Sequence, residues 1–158
     1  MKIKVALATL LLSFQANALD LDIPEYLKDE YECMVRNLHH EARGEGGRGM
    51  IAVANVVINR VNHPNFPDTI CEVVYQRLQF SWVHQVKPVP IHKANDKAKL
   101  IAYEAIVNTT LKDNTKGALF FHAKNINPGW KNHVVTARLG NHIFYRFRGK
   151  RHDPPNGY

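Results

Sequence analysis

The segment 49–61 constrains the fold more than any other part of the chain. Its apolar residues surround the helix that they would form instead of making a single stripe: Ile51, Val53, Ala54, Val56, Val57 and Ile58. A helix that is apolar on every side is stable only where other elements enclose it, so this segment predicts the central helix of a domain. The chain has 158 residues, a suitable length for one domain around such a helix.

Another helix is predicted directly before this one, over residues 30–43. Met34, Leu38 and Glu41 are spaced so that they share one face of that helix. The glycine-rich segment 44–49 then allows the chain to reverse sharply. The sequence therefore predicts two helices joined by a tight turn.

The later part of the chain changes character. A short helix or turn is predicted over 69–76, and Asn95 or Asp96 can cap a third long helix. Short segments rich in β-branched and aromatic residues then predict strands over 118–122, 134–137 and 142–147. The expected fold class is α+β, a single domain with a helical first half and short strands in the second half.

The N-terminus has the features of an export signal. Lys2 and Lys4 precede the apolar run 5–14, and Ala16-Asn17-Ala18 offers a cleavage site, so residues 1–18 are interpreted as a signal peptide. A retained membrane anchor and a buried N-terminal helix are the alternatives. The interpretation places the protein in the periplasm or cell wall, without stable membrane insertion after cleavage. Residues 19–30 are then a lead-in, 31–147 the catalytic domain and 148–158 a flexible tail.

The chain is basic, with a formal net charge of +7, which cleavage of the signal peptide would lower by two. A basic exported protein can associate with anionic cell wall, lipopolysaccharide or nucleic acid. The lysines and arginines are scattered instead of striped, so a nucleic-acid partner is the least favoured of these. We expect a monomer.

Cys33 and Cys71 are the two cysteines of the chain. In an exported protein such a pair can form a disulfide, which would close a loop of roughly 40 residues and add about 3–4 kcal/mol of stability. Two buried free thiols are the alternative if the export signal is misread.

Glu41 is the strongest candidate for chemistry. It shares a face with apolar residues and lies near a helix C-terminus, and both conditions raise the pKa of a carboxyl group. A carboxylic acid protonated near neutral pH suits general acid catalysis of glycosidic bond cleavage. A structural salt bridge to Arg36 or Arg43 explains the residue equally well. Glu45 could be a second carboxylate in the site, but capping of the second helix or a supporting role is favoured.

Other kinds of site have weaker support. His39-His40-Glu41 lacks the spacing of a zinc motif, and neither cysteine has a neighbouring base. No phosphate-binding glycine loop is present, so we expect no metal and no cofactor. Aromatic residues serve as platforms for sugar rings, and the candidates are Phe80, Trp82, Phe121, Trp130 and Tyr145, most of which are expected in the core. Phe80 and Trp130 are interpreted as substrate-binding residues, with Gln79 and His122 as hydrogen-bonding neighbours.

Several motifs together resemble the SleB-type cell wall hydrolases, the family of spore cortex-lytic enzymes. The most specific are Glu41-Ala42-Arg43-Gly44-Glu45 and Asn59-Arg60. The resemblance extends over roughly residues 31–147 and includes the segments 66–76, 79–82, 117–122, 128–130 and 139–145.

The resemblance implies a lysozyme-like fold and cleavage of peptidoglycan glycan strands between N-acetylmuramic acid and N-acetylglucosamine. It assigns Glu41 as the catalytic residue, first acid and then base, in a lytic transglycosylase reaction. The muramoyl 6-hydroxyl then attacks its own anomeric carbon, so no second carboxylate is needed and Glu45 need not be a nucleophile. Cysteines at positions 33 and 71 are similar to those of exported relatives, which supports the disulfide. Hydrolysis by water, as in a muramidase or endolysin, and wall binding without catalysis are the alternatives.

Overall fold

The computed structural model describes residues 19, 21–77 and 79–149. The predicted signal peptide 1–18 and most of the predicted tail lie outside the described residues. Within the described part of the chain, no helix combines the length and apolar character needed to cross a membrane.

The described chain is helical first and extended later, which confirms the α+β prediction. Short 3-10 helices occupy Glu25–Leu27 and Ile91–Lys93. The longer elements are α1 (Lys28–Ala42), α2 (Gly46–Val61), α3 (Ile70–Tyr75), α4 (Trp82–Gln85), α5 (Asp96–Ile106), β1 (Phe120–Ala123), β2 (His133–Leu139) and β3 (His142–Phe147).

The central helix is α2, as its composition predicts. Its apolar side chains are buried almost completely: Met50, Ala52, Val53, Ala54, Val56 and Val57. Helices α1, α3 and α5 all pack against α2. The predicted start of α2 at Gly49 is wrong, because the helix begins at Gly46, whose φ of +68° favours glycine and completes the turn after α1.

Side-chain caps define two of the other helix starts. The Thr69 hydroxyl accepts a hydrogen bond from the backbone N–H of Glu72 and begins α3. The Asn95 side chain accepts one from the backbone N–H of Ala98, so Asn95 and not Asp96 caps α5. Helix α4 is a single turn that the sequence does not predict.

The three strands form an antiparallel sheet in the order β1-β3-β2, with the last strand of the chain at its centre. Phe121 pairs with Phe144, and Ala123 pairs with His142. An irregularity between Val135 and Ala137 marks the pairing of β2 with β3. Strand β1 is therefore an edge strand, and it is the strand that borders the candidate site.

Polar side chains at the end of α2 hold the segment leading into β1. The Asn59 amide donates to the Ala118 carbonyl at 3.0 Å, and the Arg60 Nε donates to the Leu119 carbonyl at 2.7 Å. The Arg60 guanidinium also lies over the rings of Phe66 and Phe80, at 5.2 and 5.4 Å from their centres. The Asn-Arg motif thus positions the strand beside the helices.

A disulfide joins Cys33 of α1 to Cys71 of α3, as predicted. The Glu30 carboxylate reinforces the same junction, since it accepts hydrogen bonds from the backbone N–H groups of Ile70 and Cys71 at 2.5 and 3.2 Å. Both cysteines of the chain are in the disulfide, which rules out the free thiols.

Candidate functional site

Glu41 is the next-to-last residue of α1 and follows the buried side chains of Met34 and Leu38 on the same face. The alternative of a salt bridge is wrong: among the described residues no cation pairs with Glu41, and Arg36 instead binds Glu32 at 2.8 Å. The carboxyl group is therefore partly buried without a charged partner.

Burial raises the pKa of Glu41 to about 7 from an ordinary value of 4.5. The position near the helix C-terminus acts in the same direction, because the carbonyl end of the helix dipole disfavours a negative charge. At neutral pH the protonated and ionised forms are therefore both populated. Such a group can donate a proton and later accept one.

Glu41 opens into a pocket of about 450 Å³. The walls are the end of α1, the end of α4 with the residues before that helix, strand β1 and the start of β3. The lining residues are Glu41, Gln79, Phe80, Ser81, His84, Gln85, Phe121, His122, Ala123 and His142. The structure thus brings Gln79, Phe80 and His122 together with Glu41, as the sequence suggests for a binding site.

His122 is held by hydrogen bonds at both ring nitrogens. Its Nδ1 lies 2.8 Å from the Ala123 carbonyl, and its Nε2 lies 2.8 Å from the Tyr145 hydroxyl. A carbonyl can only accept, so Nδ1 carries the proton in the neutral ring and Tyr145 donates to Nε2. The Tyr145 ring also stacks on His122, with 5.0 Å between ring centres. The pairing fixes the orientation of His122 at the pocket wall.

Phe80 lines the pocket but is almost completely buried. Its side chain is 2% exposed, and the Arg60 guanidinium lies over its ring. The expected role as a sugar platform is therefore not matched by the geometry, because a platform needs an open ring face.

Trp130 is 39% exposed and lies outside the pocket lining. Its ring centre is 5.7 Å from that of His122 and 5.5 Å from that of Tyr145. The indole therefore extends the aromatic wall from His122 to the protein surface.

Glu45 does not line the pocket, and its carboxylate makes no cap hydrogen bond to α2. Glu45 occupies the N-cap position of α2, but the expected side-chain cap is absent because the side chain turns towards the loop between β2 and β3, which leaves the alternative of a supporting role. There it accepts hydrogen bonds from the Asn141 backbone N–H at 2.5 Å and the Asn141 amide at 3.3 Å. Glu45 therefore joins the α1–α2 turn to the end of the sheet.

The two histidines before Glu41 have structural contacts. The His39 Nδ1 accepts a hydrogen bond from the Asn95 backbone N–H at 3.1 Å. His40 stacks on Trp82 at 4.5 Å, and the Trp82 indole N–H donates to the buried Asn37 side chain at 3.0 Å. Burial lowers the pKa of both histidines. The described residues contain no group of three or more metal-ligating side chains.

Sequence reasoning missed most of the pocket's other residues, including His142. A signal for His142 was present, since it follows a turn glycine and begins a predicted strand. Its membership of the pocket depends on the pairing of that strand with β1, which no local pattern reveals.

The chain is similar to proteins of a known family. The sequence profile of a family described as Cell Wall Hydrolase matches residues 44–145. The chain belongs to the cell wall hydrolase family. The matched segment of this cell wall hydrolase begins three residues after Glu41, so the profile itself does not include that residue.

Curated relatives include two spore cortex-lytic enzymes. The protein of Halalkalibacterium halodurans is 31% identical over 75% of this chain, and that of Oceanobacillus iheyensis is 30% identical over 78%. The alignments span 35% and 44% of those two proteins, so this cell wall hydrolase corresponds to less than half of their length. Cell wall hydrolase CwlJ of Bacillus subtilis is 32% identical over 74% of this chain and 84% of its own.

Two solved structures have the same fold. The catalytic domain of Bacillus cereus SleB has a TM-score of 0.60 and 28% identity, covering 75% of this chain and 91% of that domain. The catalytic domain of the germination-specific lytic transglycosylase SleB of Bacillus anthracis has a TM-score of 0.59 and 27% identity, covering 78% and 100%. This similarity confirms the expected resemblance to the SleB-type family.

Proposed function

We propose that this cell wall hydrolase cleaves peptidoglycan glycan strands between N-acetylmuramic acid and N-acetylglucosamine, as a lytic transglycosylase. The observation that carries the proposal is the Glu41 carboxyl group, which has no charged partner among the described residues, a pKa of about 7 and a place in an open pocket. The name of the Bacillus anthracis relative supports the reaction type.

In the proposed reaction, protonated Glu41 donates its proton to the glycosidic oxygen as the bond to the anomeric carbon breaks. The resulting carboxylate accepts the proton of the muramoyl 6-hydroxyl, whose oxygen bonds to the same anomeric carbon. Glu41 is thereby returned to its acid form, and the product carries a 1,6-anhydro end. Because the attacking hydroxyl belongs to the reacting sugar, its high effective concentration favours this attack over that of water.

The remaining pocket residues have binding roles in this proposal. Gln79 offers an amide to the sugars near Glu41, and His122, whose two ring nitrogens are already hydrogen-bonded, offers its ring as part of the pocket wall. Trp130, which is 39% exposed, offers an indole to a sugar further along the glycan strand. Residues 31–147 are the proposed catalytic domain. The export signal at 1–18 would bring this domain to peptidoglycan in the periplasm or cell wall.

The test is digestion of purified wall sacculi by wild type, Glu41→Gln and the control Glu25→Gln. Glu25 lies in the 3-10 helix before α1, whereas Glu41 lies at the other end of α1, and Glu25 pairs with Lys28 on the surface with its side chain 89% exposed. Glu41→Gln should lower the rate at least about 100-fold, since it removes the proton donor, while the control clears the sacculi normally. Equal clearing by Glu41→Gln and wild type would contradict the assignment.

Mass spectrometry of the digest distinguishes a lytic transglycosylase from a hydrolytic muramidase. Anhydromuramoyl ends are expected, each lighter by one water than a reducing end. Reducing ends alone would show a muramidase, and no soluble fragments from wild type would favour a wall-binding protein.

A further inference from the structure

His142 lines the same pocket as Glu41. His142 is the first residue of β3, and its side chain is 11% exposed. The ring packs edge-on against Phe121, with 4.9 Å between the centres, and also contacts Phe144. These contacts fix the plane of the imidazole at the pocket wall.

The two nitrogens of His142 have different surroundings. Nδ1 is fully enclosed and has no hydrogen-bond partner among the described residues, but the Glu45 Oε2 lies 3.7 Å away. A proton on Nδ1 is attracted by this carboxylate, whereas a lone pair there is repelled, so the neutral ring carries its proton on Nδ1. The lone pair is then on Nε2, and because Nδ1 is enclosed while His142 lines the pocket, Nε2 is the nitrogen that a bound molecule can reach.

The Glu45 carboxylate contacts the loop between β2 and β3 because two neighbouring glycines leave space for it. The Asn141 backbone N–H and amide both donate to it. A Cβ on Gly49 would lie 2.7 Å from the Glu45 Cβ, and a Cβ on Gly140 would collide with Oε2. Glycine at both positions is therefore what leaves room for the carboxylate next to His142.

Two other imidazoles line the pocket, His122 and His84. Both nitrogens of His122 already have partners, Ala123 and Tyr145, and His84 is an exposed residue of the short helix α4. His142 is thus the largely buried imidazole, held in place by its neighbours, that offers a lone pair to a bound molecule. An amide N–H can only donate, so it needs such an acceptor, whereas a sugar hydroxyl can pair with a donor or an acceptor.

We propose that His142 is a substrate-binding residue that accepts a hydrogen bond from the acetamido N–H of an N-acetylated sugar, and that Glu45 is the positioning residue that orients it. The inference rests on the proposed function, because it concerns the sugar held beside Glu41. Burial lowers the pKa of His142, although Glu45 acts in the opposite direction, and this keeps the ring neutral.

The test measures sugar binding. All variants are made in the full chain carrying Glu41→Gln, so that the sugar is not cleaved during the measurement. Calorimetry compares a tetramer of N-acetylglucosamine with a tetramer of glucose, which has a hydroxyl in place of each acetamido group. His142→Phe keeps an aromatic ring but removes the acceptor, and it should weaken binding of the acetylated tetramer about five- to tenfold. Binding of the glucose tetramer should change much less. His142→Gln, which retains an acceptor, should recover part of the preference.

The role of Glu45 is tested by the ¹⁵N chemical shifts of the His142 ring. These shifts should show the proton on Nδ1, and Glu45→Gln should move it towards Nε2 and reduce the preference for the acetylated tetramer. A structural role alone would lower the melting temperature without changing the tautomer. An unchanged preference in His142→Phe, or no binding of the acetylated tetramer, would overturn the proposal. If binding depends on His142 but wild type does not cut sacculi, only the proposed function fails.

Discussion

The Nε of Arg60 donates a hydrogen bond to the Leu119 carbonyl at 2.7 Å, which connects the last turn of α2 to the residue before β1. Arg60 is 3% exposed, and its guanidinium lies within 5.7 Å of the centres of three aromatic rings. The central helix and the strand that borders the pocket are therefore held together by one planar cation.

Replacing this cation with a flexible one should loosen that junction. Arg60→Lys keeps the charge but loses the Nε donor and the flat stacking surface, and should lower the free energy of unfolding by about 1–3 kcal/mol. Urea denaturation measures the loss. Arg48→Lys, at an exposed position of the same helix, is the control and should change stability little. Equal effects of the two substitutions would contradict a special role for Arg60.

Glu41 should make stability depend on pH. The folded protein keeps the Glu41 proton up to a pKa of about 7, whereas the unfolded chain loses it near 4.5. Since the folded state binds more protons in this window, its stability falls as pH rises from about 4.5 to about 7. The shift limits the loss to roughly 3 kcal/mol. Urea denaturation at about pH 5 and about pH 8 should show this loss in wild type and not in Glu41→Gln. A parallel pH dependence in both proteins would contradict the burial of the carboxyl group.

The disulfide should contribute substantially to stability. Cys33 and Cys71 are separated by 38 residues in sequence, and opening a loop of this size costs about 3–4 kcal/mol of unfolding free energy. We expect this loss in the Cys33→Ala/Cys71→Ala variant by urea denaturation. Thiol labelling of the native, unreduced protein should detect no free cysteine, and stoichiometric labelling would contradict the bridge.

Gly140 and Gly129 form a matched pair for testing the contact with Glu45. Both have positive φ, +60° and +68°, but a Cβ meets Glu45 at Gly140 and nothing within 4 Å at Gly129. Alanine at either position should cost about 1–2 kcal/mol through backbone strain. Gly140→Ala should cost more and also slow the digestion of sacculi, because it displaces the Glu45 carboxylate. Identical stability and digestion rates in the two variants would contradict this.

The helical part of the fold is predictable because its signals are local. The composition of 49–61 predicts a buried central helix, and the polar side chains of Thr69 and Asn95 mark helix starts. Helix α4 is different. It is one turn long, and its Trp82 is fixed by the hydrogen bond that its indole N–H donates to Asn37, which lies 45 residues earlier in the chain. A contact at that separation leaves no periodic pattern to detect.

Some residues of the candidate site can likewise be predicted from local sequence signals, and others cannot. The apolar residues of its own helix face make Glu41 a candidate and the family resemblance assigns it, and its neighbours Gln79, Phe80 and His122 adjoin recognisable motifs. The partner of Glu45 cannot be identified, because Asn141 lies 96 residues away and meets it only through the tertiary fold. A local rule therefore assigns Glu45 a helix cap, and the long-range contact replaces that role.

The strand order β1-β3-β2 determines when the sheet can form during translation. The strand made last is the one between the other two, so β1 and β2 have no partner in the sheet until residues 142–147 leave the ribosome. A nascent chain that ends before His142 has Glu41 but neither a paired β1 nor a complete pocket wall. An incomplete chain therefore carries Glu41 without the pocket that would bind a glycan, and the proposed activity can begin only after synthesis of β3 is complete.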